Sequence, residues 1–221
     1  MDRLALDWRR ALGGHAAPAG LTSRIGPNAI SRVAEVLPFR LGSEATAELF
    51  DAVGLGDYLQ HPPESMVDEA DVRRLHAALR ERLGQAAARE VAQAAGRATA
   101  EYLLAHRIPR PLQKVLRRLP AHWAARVLLA AIRRNAWTFV GSGQFAASAG
   151  SGRCPAVLEI RGNPLCRGLR ADAPACDYYA ATFERLFATL VHPWSRVREV
   201  ACEACGDDAC RFEIRWQAEG G

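Results

Sequence analysis

The stretch EVACEACGDDACRF, from Glu199 to Phe212, decides how the C-terminal third folds. Its Gly206-Asp207-Asp208 centre is turn chemistry, and the segments on either side, Val197 to Ala204 and Cys210 to Trp216, read as two strands folded back on each other. Upstream, CDYYAATFERLFATLV (Cys176 to Val191) places Tyr179, Phe183, Leu186, Phe187 and Leu190 on one helical face. Further upstream, Trp137 to Ala147 and Ala156 to Arg161 (AVLEIR) read as two more strands joined by a Gly/Ser-rich turn.

Before Asn135 the pattern is helical. PNAISRVAEVL (Pro27 to Leu37) repeats Ile30, Val33, Ala34 and Leu37 at helical spacing, with Pro27 suited to a first turn. Ser43 to Val53 is a second helix with Ser43 as its expected N-cap, ended by Gly54 to Pro63. Asp68 to Arg107 is the longest helical signal. Val72, Leu75, Leu79 and Leu83 form its stripe, and Gly84 and Gly96 mark a break or a close helix contact. Leu112 to Leu119 and His122 to Asn135 complete the helical part, whereas the first 25 residues have no clear period. Helices first and a small antiparallel sheet with one packed helix last predict an α+β fold. Its parts are a mainly helical stretch, 1–135, and a cysteine-bearing core, 136–221, joined in one continuous globular unit.

The 221 residues are 49% hydrophobic and 24% charged, which excludes a disordered or collagenous chain. No run approaches the roughly 20 apolar residues of a membrane-spanning helix, and the start MDRLALDWRRALGG lacks a signal-peptide core. A cytoplasmic protein is expected, at most peripheral to a membrane. The net charge is +5, and nine basic residues face one acid, Glu101, between Arg97 and Arg134. Such a face suits an anionic surface or a carboxylate-bearing ligand, but is also the ordinary state of a solvated helix. Without an interleaved aromatic motif or a helix-turn-helix, nucleic acid is not an expected partner.

All six cysteines fall in the last third, at 154, 166, 176, 202, 205 and 210. Glu199-x2-Cys202-x7-Cys210, with Cys176 at a helix start, is a donor set suited to tetrahedral zinc. Glu199 and Cys202 lie three residues apart, so a bulge or turn is needed to converge them. Cys205 competes for the fourth place, since Cys202-x2-Cys205 has knuckle spacing of its own. A redox dithiol, an iron–sulfur cluster and plainly buried thiols are the alternatives. Cys154 and Cys166 read as core residues.

With Cys202, Gly206, Cys210 and Phe212 in its signature places, the run resembles the 4-vinyl reductase domain family. In phenol-sensing activators with this domain, zinc is held by a Cys, a Glu and two more Cys, whose spacing is matched here by Cys176, Glu199, Cys202 and Cys210. The tract NPLCRG (Asn163 to Gly168) and the helix from Cys176 extend the resemblance to members labelled as reductases of bacteriochlorophyll synthesis. The resemblance implies a fold like that of vesicle-tethering TRAPP subunits, whose relatives bind small hydrophobic ligands and often dimerise, so it admits a homodimer.

Reduction of a vinyl group needs an electron source. Gly141-Ser142-Gly143-Gln144-Phe145-Ala146 matches G-x-G-x-x-A, yet too few residues follow for a crossover helix, and a β-hairpin turn explains the glycines better. No flavin motif or ferredoxin-type cysteine quartet is present. The expected role is therefore binding and delivery of a magnesium tetrapyrrole, a Mg-porphyrin or divinyl (proto)chlorophyllide, to other enzymes of the pathway. A reductase using an external reductant, and a ligand sensor or adaptor, are the alternatives. For the pigment, Trp137 and Phe139 share a strand face with Phe145 nearby, the arginines supply a rim, and His106 and His122 are candidate axial ligands.

Overall fold

The computed structural model describes residues 23–149 and 156–216, so Cys154 and most of the N-terminal lead-in lie outside the described residues. Arg24–Ile25 (β1) and Val67–Asp68 (β2) pair antiparallel and bracket four helices. These are Asn28–Val36 (α1), Pro38–Leu41 (α2), Ser43–Ala52 (α3) and Asp57–Gln60 (α4). The expected cap is corrected by one residue: Gly42, at φ 83°, occupies the N-cap of α3, and Ser43 is already helical. The stretch after Gly54 does not simply break the chain, since α4 forms within it.

Glu69–Tyr102 forms α5, begun by Asp68, whose Oδ1 accepts from the Ala70 amide at 2.8 Å. A π-helical turn, Leu103–Arg107, follows, and the Gln113 side-chain amide donates to its Leu104 carbonyl at 2.6 Å. Next come Arg110–Leu116 (α6), Ala121–Arg134 (α7) and Trp137–Val140 (α8). The expectation of Trp137 and Phe139 on a strand is corrected: they sit on this short helix, so the shared strand face does not exist. Gly141, at φ 55° and ψ −122°, ends α8, and the strand starts only at Gln144.

The sheet consists of Gln144–Ala149 (β3), Ala156–Arg161 (β4), Arg196–Ala201 (β5) and Cys210–Arg215 (β6), with Asp177–Leu190 (α9) between β4 and β5. All pairings are antiparallel, in the order β3-β4-β6-β5. Strand alternation turns Leu158 and Ile160 of β4, and Cys210, Phe212 and Ile214 of β6, to the buried face. There α9 packs, with Phe183 edge-on to Phe212 at 5.6 Å and Phe187 stacked on Trp216 at 6.4 Å. The glycine motif Gly141 to Gly143 joins a helix to a strand. A dinucleotide fingerprint runs from strand to helix, and the turn here also is not the hairpin between β3 and β4. A Cβ on Gly143 would lie 2.7 Å from the Arg161 carbonyl, so close backbone approach explains that glycine.

Both readings of the helical glycines hold. Gly84, at φ 73° and ψ 168°, breaks α5, and Gly96 lets α5 cross α9. Around the crossing, the Thr182 hydroxyl donates to the Gly96 carbonyl at 3.0 Å and Thr99 Oγ1 lies 2.7 Å from the Tyr178 hydroxyl. One buried cluster runs from Val33, Phe50 and Leu75 through Val91 and Ala95 to Phe183, Phe187 and Phe212, so the helical half and the sheet share a core. A Cβ on Gly96 would meet the Tyr178 carbonyl well inside contact distance. We therefore expect Gly96→Ala to destabilise the protein by about 1–3 kcal/mol, the usual range for overpacking. Urea denaturation measures it, and an unchanged midpoint would mean that the helices do not cross at this distance.

Candidate functional site

Three separate pieces of chain meet under the sheet. Cys176 is the residue at the N-cap of α9, Cys202 follows β5, and Cys210 opens β6 opposite Ile160. A register shift between Glu199 and Ala201 supplies the irregularity that convergence of Glu199 and Cys202 demands. A 3-10 turn, Glu203–Cys205, then leads to left-handed Gly206, and the Asp207 carboxylate accepts from the Cys202 amide at 2.8 Å.

The fourth sulfur belongs to Cys166, which the sequence alone presents as an ordinary core residue. Its Sγ lies 3.4 Å from that of Cys210. Cys176 lies 3.4 Å from Cys210 and 3.9 Å from Cys202, and Cys202 lies 4.0 Å from Cys210. All four sulfurs are within 4.8 Å of one another, and all four residues are buried. Tetrahedral zinc–sulfur bonds of about 2.3 Å imply sulfur pairs about 3.8 Å apart, so the arrangement matches what such an ion requires. Glu199 stands beside the quartet. Its Oε2 accepts from the Cys176 amide at 2.8 Å, while Oε1 is buried with no hydrogen-bond partner. Cys205, the competing donor, is exposed and outside the group.

Electrostatics follow from placing these groups in a dry volume. Hydrogen bonds from Cys166, Cys176 and Cys210 hold the Cys202 thiol far below the ordinary thiol range, whereas Cys176 is pushed well up, first by its bond to Cys166. Burial, and then the negative charge of Cys202, pushes the Glu199 carboxyl up to about 9. A divalent cation would reverse this logic, because coordinated thiols ionise outright.

The residues expected around a pigment disperse. Phe139 packs on Phe145 at 5.3 Å, Phe183 at 6.0 Å and Tyr179 at 6.1 Å, so these phenylalanines join the aromatic core, with partly buried Trp137 nearby in sequence. His106 and His122 have rings 5.0 Å from Tyr102 and 5.5 Å from Trp123; both are exposed, and they do not face a common cleft with Phe139. Sequence reasoning missed His76, although it sits one helical turn after Val72 on the same stripe. The imidazole is buried, donates from Nε2 to the Ala29 carbonyl at 3.1 Å, and lies edge-on to Tyr178 at 5.7 Å. It lines an open cleft of about 300 Å³ at the Gly84 break, together with Leu79, Arg80, Ala88, Arg89 and Asp177.

Over this scaffold, the 4-vinyl reductase domain profile matches residues 156–216, the strands and helix that carry all four cysteines. The chain is 42% identical over 206 residues to the bacteriochlorophyll synthase 23 kDa chain of Cereibacter sphaeroides, covering 93% of this chain and 95% of that one. The chain belongs to this family. Its counterpart from Rhodobacter capsulatus is 41% identical over 203 residues, covering 91% and 92%. Members are bacteriochlorophyll J proteins, and membership gives the chain a role in bacteriochlorophyll biosynthesis. In fold it resembles H-NOX domains. One, from work on haem distortion in that family, has a TM-score of 0.57 at 14% identity over 89% of this chain and 97% of that chain. Another, from S. oneidensis in an Fe(II)NO state, has a TM-score of 0.54 at 12% identity over 88% and 100%. Among the described residues no helix is long and apolar enough to cross a membrane.

Burial, and then the charge of Arg80, holds the His76 imidazole down at about 3, against 6.5 when exposed. A group lowered on folding binds its proton better in the unfolded chain, so its contribution is complete above pH 6.5 and lost as the pH falls toward 3. Between pH 7 and pH 5 the wild type should lose about 2 kcal/mol more than His76→Gln. Urea midpoints at the two pH values measure this, and parallel losses would show that His76 is not buried neutral.

Proposed function

We propose that the protein binds a magnesium tetrapyrrole intermediate of bacteriochlorophyll synthesis, a Mg-porphyrin or divinyl (proto)chlorophyllide, and delivers it to another enzyme of the pathway. The observation that carries this reading is family membership across nearly the whole chain, under a name taken from bacteriochlorophyll synthesis. The likeness in fold to domains whose titles speak of haem supports a tetrapyrrole in particular. The first turn of α9 presents two faces to such a disc. Phe139, Phe145 and Trp137 lie toward one, and neutral His76 with Arg80 and Arg89 toward the other. An aromatic wall, an imidazole lone pair and guanidinium groups are what a flat apolar ring with magnesium and carboxylate edges asks for. The buried cysteines hold zinc in this reading, with Cys176, Cys202 and Cys210 as three donors and Glu199 beside them. A zinc ion there supplies structure by binding the N-cap of α9 to the β5–β6 turn.

Delivery also requires a docking face. No acidic residue occurs between Tyr102 and Leu158, and on α7 the half-exposed Trp123 lies under the Arg126 guanidinium at 5.5 Å. Basic residues around an exposed tryptophan suit an anionic lipid surface, and we assign peripheral membrane contact to this face.

Titration of the purified protein with Mg-protoporphyrin and divinyl protochlorophyllide, followed at the Soret band, tests the binding role. We expect a saturable shift at one pigment per chain, weakened at least tenfold in Phe139→Ala or His76→Gln proteins that remain folded. A flat titration would remove the binding role, and conversion to the 8-ethyl pigment on adding NADPH would make the protein a reductase. Elemental analysis should find about one zinc per chain, lost with a lower Tm in Cys202→Ser and Cys210→Ser; metal-free protein with an unchanged Tm would remove the zinc. Vesicles rich in phosphatidylglycerol should co-sediment the protein, and less of the Arg118→Glu/Arg126→Glu variant. Equal binding to neutral vesicles would count against the docking face.

A further inference from the structure

We infer that Cys166 is the fourth zinc ligand and that Glu199, in the place the family resemblance gives to a ligand, is a positioning residue that holds the Cys176 backbone. The inference rests on the zinc reading above and concerns only the donor set.

Distances separate the two candidates. The Cys166 sulfur belongs to a mutual group of four within 4.8 Å, whereas no carboxylate oxygen belongs to that group. Glu199 is occupied elsewhere, since its Oε2 accepts from the Cys176 amide at 2.8 Å. That bond orients the N-cap of α9, and with it the Cys176 side chain. A carboxylate that left to bind metal would abandon a buried amide.

Cys166 is also built into place. The loop carrying it is fixed at Asn163, which is fully buried. Asn163 Oδ1 accepts from the Leu165 amide at 3.0 Å, its carbonyl accepts from the Cys166 amide at 3.3 Å, and its side-chain amide donates to the Cys176 sulfur at 3.2 Å. Donation to a ligating sulfur is a typical supporting contact of a metal thiolate. The same loop hangs from Glu203, whose carboxylate accepts from the Gly162 and Asn163 amides at 2.5 and 2.8 Å. Glu203 directly follows Cys202, so one residue ties the Cys166 loop to the turn that presents Cys202. Thus Asn163 links Cys166 to Cys176, and Glu203 links it to Cys202.

X-ray absorption at the zinc edge of the unmodified full-length protein tests this without any substitution. Four sulfurs at about 2.3 Å are expected; three sulfurs with one oxygen near 2.0–2.2 Å would overturn the assignment. Cobalt(II) loading gives a second readout. Cys166→Ser should lose about a quarter of the thiolate-to-cobalt charge-transfer intensity, with d–d bands moved to shorter wavelength. Glu199→Gln should keep the wild-type bands while binding metal more weakly. An unchanged Cys166→Ser spectrum together with an altered Glu199→Gln spectrum would restore Glu199 as ligand. Failure of the wild-type protein to bind zinc or cobalt would overturn the inference and the zinc reading together, leaving the pigment titration as an independent result.

Discussion

Four sulfur atoms and a carboxylate share one dry volume, and charge in such a place must be neutralised or compensated. The architecture of the C-terminal half answers to that requirement. Cys176 reaches the volume because it stands at the N-cap of α9, and Cys210 because it opens β6 on the inward register. Cys202 follows the irregularity in β5, and Cys166 rides a loop hung from Asn163 and Glu203. An error at any of these points would leave a polar group stranded among Leu158, Ile160 and Phe212. Hence the sheet, its covering helix and the β4–α9 loop are interdependent, and the match to the domain family spans these same residues.

The helical half is joined to this centre by packing and by one polar junction. Glu69, at the start of α5, accepts from the Ser142 amide at 2.7 Å and from Arg167 at 2.8 Å. Arg167 is the chain neighbour of Cys166, so the loop that brings a sulfur to the cluster also grips the first turn of the long helix. Together with the Gly96 crossing, this fixes α5 against the sheet at two places.

Much of this is legible from residue order, and the failures have physical causes. Helical periodicity locates α1, α5, α6, α7 and α9, because each buries a single stripe of its surface. The glycines of α5 read correctly as a break and a contact, since a helix interior tolerates glycine for few other reasons. Trp137 to Val140 mislead, because four apolar residues before a strand have no period long enough to distinguish helix from strand. Cys166 escapes notice because its partners are 10, 36 and 44 residues away, and only the paired turns of Asn163 and Glu203 bring it to them. His76 and Glu69 escape it because polar residues on a buried helix face are identified by their partners, which come from distant chain. The cysteine cluster itself is visible, since three of its members belong to a recognisable signature.

The break at Gly84 also bears on how the helical half can vary. In an uninterrupted α-helix, inserting or deleting one residue rotates everything beyond it by about 100°. Had α5 been continuous, such a change near Leu75 would have turned Gly96 away from Tyr178 and undone the crossing. With a non-helical residue at position 84, the two segments keep separate phases. The α1 packing surface can therefore gain or lose a residue without turning the segment that crosses α9.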